Sequence, residues 1–230
     1  MVSLFPSHDR WNIVKYNIEI YLKKLFERTM ADEIEVFFTD SYNFREEVAT
    51  LLPYKGNRDT THKPFWFKDI REYLLSNYPC SVVYGVEADD AMAIEQCRDE
   101  GEDTVIFTPD KDLDMIEGWR DNGKECYYID KGTTMGSFYE QLLKGDSTDN
   151  IPGIFKLTGK KASKKMKDGL KETDDPYNYI KELYLNGEES QEAHDDIERK
   201  LLEIGTLLWM KRDYHDRVEF HIKGGGGEDE

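Results

Sequence analysis

Apolar residues at Val14, Ile18, Tyr21, Leu22 and Leu25 recur at helical spacing, and this predicts an amphipathic helix over residues 12–30. The run Ile34–Thr39 reads as a strand that ends at Asp40. Residues 41–79 mix aromatic and basic positions and are punctuated by Pro53, Pro64 and Pro79. Cys80–Val86 reads as a second strand. A helix over Ala88–Asp99 comes next, opened by acids that suit the positive end of a helix dipole. Thr104–Thr108 and Glu125–Ile129 read as a third and a fourth strand. Strands alternating with helices predict an α/β fold, a mostly parallel central sheet flanked by helices. Such sheets bind ligands beyond the carboxyl ends of their strands.

After Gly145 the character changes to a lysine-rich, helical segment. Ile197, Leu201, Ile204 and Leu208 mark a late helix, and alternating Val218, Phe220 and Ile222 suggest a closing strand over Arg217–Ile222. The glycine-rich, acidic tail 223–230 lacks the apolar residues to order itself. The expected layout is a core over 1–144, a helical region over 145–222 and this tail.

The chain has 230 residues, enough to bury a proper core, with 38% hydrophobic and 34% charged positions. No apolar run approaches the ~20 residues of a membrane span, and MVSLFPSHDR lacks a basic-then-apolar leader. Cys80, Cys97 and Cys126 are widely spaced and read as reduced thiols of a cytoplasmic protein. A net charge of −17 argues against indiscriminate coating of nucleic acid. That charge is uneven. Seven lysines face one acid between Lys156 and Lys171, whereas ten acids face one lysine between Glu172 and Glu198. The basic island is either a confined phosphate-binding surface or a solvated helix face.

Eight carboxylates fall in four tight groups: Asp40; Glu87, Asp89 and Asp90; Asp110 and Asp112; Asp146 and Asp149. Delivered to one edge of a sheet, they would make a pool of negative charge that divalent cations must neutralise. Two cations about 3.5–4 Å apart are a common clamp for a scissile phosphate. The motifs EADD (87–90), T-x-D-K-D-L (108–113) and G-D-x-x-D-N-I-P-G (145–153), in that order, resemble the 5′-to-3′ exonuclease and flap endonuclease family. That family includes bacteriophage enzymes and the nuclease domain of bacterial DNA polymerase I. The stretch FTDSYNFREEVATLLPYKGNRD is similar to its short phage members.

The resemblance implies a 5′-nuclease-like, PIN-type core joined to a helix–hairpin–helix region. It implies a structure-specific hydrolase of phosphodiester bonds in DNA, with the RNA strand of hybrids as a second substrate, in phage replication or host DNA degradation. Asp40, Glu87, Asp89 and Asp90 would line a first metal position. Asp110, Asp112, Asp146 and Asp149 would line a second. Oxygen ligands suit Mg²⁺ or Mn²⁺. Lys55 and Arg58, in YKGNR, match basic residues beside the scissile phosphate, and Arg45 and Tyr54 are further candidates for the DNA surface. Residues 41–79 take the place of an arch that gathers a single-stranded 5′ end. Tyr42, Phe44, Tyr54, Phe65, Trp66 and Phe67 would either stack on bases there or pack in the core, with Lys63, Lys68 and Arg71 on the backbone.

GIFKLTGKKA (153–162) stands at the family's potassium-binding hairpin, and Lys160 fits its motif lysine. Lys156 and Thr158 replace glycines that allow close backbone approach. Lys156, Lys160, Lys161, Lys164 and Lys165 would then hold the duplex by charge. The family also opens on a strand ending in Asp-Gly. No such strand precedes Asp40, and Asp9 lies in PSHDRW. VSLF (2–5) resembles the hydrophobic stretch that family members carry just after that Asp-Gly pair. The expectation is a chain truncated, started late or completed by another polypeptide.

Expected partners are DNA with 5′ ends or flaps and replication proteins, with no membrane and a host-cytoplasmic location. A non-enzymatic DNA-junction binder of the same fold is the competing reading, prompted by the missing acid. A PIN-type RNA-processing or toxin-like nuclease ranks lower because it has no need of GDSTDNIPG or the lysine-rich segment. A calcium buffer ranks last, since no D-x-D-x-D-G loop occurs.

Overall fold

The computed structural model describes residues 10–58, 63–98 and 104–220. In chain order its elements are α1 (Trp11–Thr29), β1 (Val36–Asn43), α2 (Arg45–Val48), α3 (Phe67–Asn77), β2 (Cys80–Gly85), α4 (Ala88–Arg98), β3 (Val105–Phe107), a 3-10 turn (Lys111–Met115), β4 (Gly118–Asp121), β5 (Cys126–Ile129), α5 (Lys131–Lys144), α6 (Ile154–Thr158), α7 (Lys164–Glu172), α8 (Pro176–Leu185) and α9 (Gln191–Leu208). The α/β class and the prevalence of parallel pairing agree with the hydrophobic pattern. Asp9, the VSLF stretch, Asp99 and the tail lie outside the described residues.

The chain divides into two compact units that interleave in sequence, where the pattern suggested one border after residue 144. The first takes the described residues up to Asn43, those from Lys63 to Lys111, and Glu117–Ile129. Its core is the predicted face of α1. Val14, Ile18, Leu22 and Leu25 are buried with Ile70 and Leu74 of α3, and Val36, Phe38 and Phe107 pack against them. Each fully buried side chain of this size contributes about 1.5–3 kcal/mol. Trp66 stacks on Trp11 at 5.6 Å, so the end of the expected arch segment is instead a core helix and its leading turn. Phe65, by contrast, is exposed.

Two ladders lie in this unit. β1 and β2 pair in parallel from Val36 beside Cys80 to Thr39 beside Val83, and the register slips before Asn43 reaches Gly85. The strand therefore runs on past Asp40 rather than ending there. In the second ladder β3 pairs with β4 in parallel and β4 with β5 antiparallel. The hairpin turns at Gly123 (φ +93°), where Asn122 Oδ1 accepts the amides of Lys124 and Glu125 at 2.9 and 3.2 Å. Strand β4 was not foreseen. Its sequence GWRD looks like a turn, yet Arg120 and Asp121 are buried. Asp121 is held by a fork from Arg28, Nη2 lying 2.7 Å from Oδ1, and this ion pair holds the Arg28 guanidinium above its ordinary pKa.

The second unit takes Phe44–Arg58, Asp112–Ile116 and the described residues from Asp130. Its core brings Phe138, Leu142 and Leu143 of α5 together with Ile180 and Tyr184 of α8 and Leu201, Ile204 and Leu208 of α9, all buried. Helix α5 was missed because its sequence carries two glycines and two threonines; Asp130 caps it by accepting the Thr133 amide at 2.8 Å. Over its described residues the expected closing strand is not seen, and Ile222 lies outside them. Residues 217–220 have no regular structure, because Phe220 turns inward to stack on Tyr177 at 4.3 Å over Gly205.

Candidate active site

The GDSTDNIPG segment is a loop closed on itself. Asp146 and Ile151 exchange backbone hydrogen bonds of 3.0 and 2.7 Å, and Asp146 Oδ1 accepts the Thr148 amide at 2.7 Å. Glycine is required at both ends. A Cβ on Gly153 would lie 1.8 Å from the Lys144 carbonyl oxygen, and one on Gly145 (φ +70°) would lie 2.3 Å from the Gly153 nitrogen. Asn150 adopts φ +61°, a conformation Asn tolerates better than most residues.

The Tyr54–Arg58 segment lies against this loop. Asn57 Nδ2 donates to the Ser147 carbonyl at 2.7 Å, and Asn150 Nδ2 to that of Pro53 at 2.9 Å. The Lys55 amide donates to the Asp149 carbonyl at 2.8 Å, with Lys55 itself at φ +55°. The Asp149 carboxylate accepts from Tyr54 Oη at 2.8 Å, is paired with Arg58 Nη2, and has Lys55 Nζ at 3.5 Å. The structure thus gathers four sequence candidates, Tyr54, Lys55, Arg58 and Asp149, into one constellation. Asn57 and Asn150, which stitch it together, were not foreseen. A 3-10 turn presents Asp112, whose Oδ1 accepts from Gln141 Nε2 at 2.6 Å; Gln141 was likewise overlooked.

In the first unit the acids of EADD sit at the start of α4. Asp90 is buried and its Oδ2 accepts the Glu87 amide at 3.1 Å, the return half of a capping box. Thr39 Oγ1, from β1, accepts the Ala88 amide at 2.9 Å. Glu87 is buried, Asp89 half-buried, and Asp40 and Asp110 exposed.

One candidate is corrected. Arg45 is 1% exposed and cannot reach a DNA surface. Its Nε and Nη2 donate to the carbonyls of Leu207 and Trp209, each at 2.8 Å, where α9 ends. Fraying helix ends need such donors, and a guanidinium fork serves two carbonyls at once.

The basic island forms α6, a turn at Gly159 (φ +75°) and α7, which buries no residue and is capped by Ser163. Lys156, Lys160, Lys161, Lys164 and Lys165 are exposed. Lys156 donates to Asn150 Oδ1 at 3.0 Å. Lys156 and Thr158 stand inside helix α6, and the amides of Lys156 and Leu157 bond the Gly153 carbonyl. Those amides are therefore spent within the helix.

No protein-family model matches the chain. Among solved structures, a bacteriophage T5 5′-exonuclease with bound zinc is 20% identical and superposes with a TM-score of 0.56, over 81% of this chain and 80% of that one. A bacteriophage T5 flap endonuclease, in a pseudo-enzyme–product complex with DNA and metal ions, gives 19% identity and a TM-score of 0.54, over 80% and 77%. The chain has the 5′-exonuclease fold. A further T5 structure crystallised with metal ions is similar at 18% identity and a TM-score of 0.53.

Against the 5′-exonuclease fold the acids can be tested as cation ligands. Their chemistry suits a hard divalent cation, being oxygen throughout. Among the described residues no three His, Cys, Asp or Glu side chains are grouped to hold a metal ion. Asp149 is engaged by Tyr54, Lys55 and Arg58, Asp112 by Gln141, and Asp90 by its own helix start. No described helix is long and apolar enough to cross a membrane.

Proposed function

We propose that the protein is a 5′-nuclease acting on DNA with 5′ ends or flaps and dependent on a divalent cation, Mg²⁺ or Mn²⁺. The observation that carries this reading is the 5′-exonuclease fold, shared over four-fifths of both chains. The ordered acid motifs that fall on that fold support it. Asp40, Glu87, Asp89, Asp90 and Asp110 in one unit, and Asp112, Asp146 and Asp149 in the other, are the proposed cation ligands. Lys55 and Arg58 hold substrate phosphate as fixed cations, Tyr54 orients them, and Lys156, Lys160, Lys161, Lys164 and Lys165 take the duplex backbone.

A second reading, a DNA-junction binder without cleavage, is favoured by the lack of any group of three cation-ligand side chains among the described residues. One experiment separates the two. An end-labelled 5′-flap duplex is incubated with wild type and Asp112→Ala in Mg²⁺, in Mn²⁺ and in EDTA. The nuclease reading expects cleavage by wild type only with a cation, and a loss of at least about 10²-fold in Asp112→Ala, the scale of removing one group that stabilises transition-state charge. Retained binding with no cleavage under any condition selects the junction binder. Product length reports whether exonuclease or flap endonuclease action prevails.

A further inference from the structure

The carboxylate of Asp149 occupies the two cations that the proposed function assigns to substrate phosphate. Its side chain is 13% exposed, whereas those of Lys55 and Arg58 are 27% and 45% exposed. The acid is therefore the inner partner, and both cations remain reachable by an incoming anion. Four anchors of the segment run through backbone carbonyls and not through this carboxylate: Asn57 to Ser147, Arg58 Nε to Thr148 at 3.3 Å, Lys55 N to Asp149, and Asn150 to Pro53. The segment can stay docked while the carboxylate lets go.

We infer that Asp149 is an internal stand-in for phosphate, an anion latch that holds Lys55 and Arg58 until a phosphate group of nucleic acid displaces it. This rests on the reading of Lys55 and Arg58 as phosphate-holding groups. Both cations stay partly exposed beside the carboxylate, so an arriving phosphate can reach them even while the latch is closed. Guanidinium and ammonium bind phosphate and carboxylate oxygens through the same donors, so the exchange replaces like with like. Displacement also frees the Asp149 oxygens. The two events are coupled reciprocally: whatever draws Asp149 away tightens phosphate binding, and phosphate binding releases Asp149 for another cation. Asp149 and Tyr54 are then positioning residues acting through Lys55 and Arg58.

The test uses a 5′-phosphorylated single-stranded oligonucleotide in EDTA, read by fluorescence anisotropy, with inorganic phosphate as competitor. Cleavage plays no part in it, so its outcome is independent of the flap assay. Asp149→Asn is expected to bind about tenfold more tightly than wild type, the scale of a close charge pair removed. Asp174→Asn, at an exposed carboxylate that the proposed site does not use, changes affinity less than about twofold. Tyr54→Phe loosens the latch without touching either cation, and gains affinity even if Asp149→Asn folds poorly. In a Lys55→Ala/Arg58→Ala background the Asp149→Asn gain disappears. Unchanged or weaker binding by both Asp149→Asn and Tyr54→Phe overturns the inference. So does an equal gain in Asp174→Asn, which would make the effect one of general charge.

Discussion

A charged side chain next to a motif acquires a role only when its surroundings are known, and Arg45 is the clearest instance. By sequence it stands a few residues before YKGNR, among residues read as a DNA surface. In the fold its guanidinium is buried and spans the carbonyls of Leu207 and Trp209, closing the end of α9. Glu203 on the same helix accepts the amides of Thr50 and Leu51, each at 2.7 Å, so the segment leading to Tyr54 is fastened to α9 from both sides. Arg45→Ala strands two carbonyls and removes a large buried side chain. It should cost about 2–5 kcal/mol in urea unfolding, the range for breaking a buried charge-assisted network. DNA affinity, measured at a temperature where the variant is folded, should match wild type; a loss of affinity with unchanged stability would return Arg45 to the DNA surface. The nearby Lys55 and Arg58 invert this pattern, being partly exposed and tied to an acid that another anion can replace.

Helix α5 carries a test at the scale of an element. Its N-cap Asp130 accepts the Thr133 amide, and that hydrogen bond holds the carboxyl below the usual aspartate range. A group whose pKa is depressed on folding contributes stability above its unfolded value, about 4, and that contribution fades as pH falls through the folded value. The gap in Tm between wild type and Asp130→Ala should therefore be widest above about pH 5 and narrow progressively as pH falls below the unfolded value. Asp130→Asn keeps an acceptor that does not titrate, and its gap to Asp130→Ala should stay nearly flat. A wild-type gap independent of pH would mean that the cap acts without its charge. Elements with a clean apolar period were legible beforehand: α1 from Val14, Ile18, Leu22 and Leu25, and α9 from Leu201, Ile204 and Leu208. Those that depend on partners distant in sequence were not. Strand β4 is stabilised by Arg28 reaching Asp121, which no local pattern reveals. Val218 and Phe220 alternate like a strand, but a ring stack on Tyr177 claims Phe220. The site shows the same division. The glycines of GDSTDNIPG announce a tight loop, whereas the Tyr54–Asp149 bond joins residues 95 apart and is written only in the fold.

At the scale of the molecule, a chain of net charge −17 must confine its attraction for nucleic acid to a small surface. Most of its outline repels a polyanion, and repulsion acts over roughly a Debye length, about 8–10 Å at physiological salt. The exposed lysines of α6, α7 and the turn between them are the concentrated exception. Lys156 and Lys160 are partly engaged, with Asn150 and Asn186. Lys164 and Lys165 stand at the start of a helix that buries none of its residues. Placed at a positive helix end, these two add to the field of unpaired amides and favour an anion there. If they neutralise duplex phosphates, log K should fall linearly with log[salt], losing about 0.9 of slope for each contact removed. Lys164→Gln/Lys165→Gln should then lower the slope magnitude by up to about 1.8, measured by anisotropy of a duplex across a KCl series in EDTA. Stability should barely move, because neither side chain is buried. An unchanged slope with unchanged affinity would make the island a solvated helix face. The acidic remainder of the chain sharpens the expected result: with the local surplus of positive charge concentrated in this segment, each lysine lost should register as nearly a whole contact.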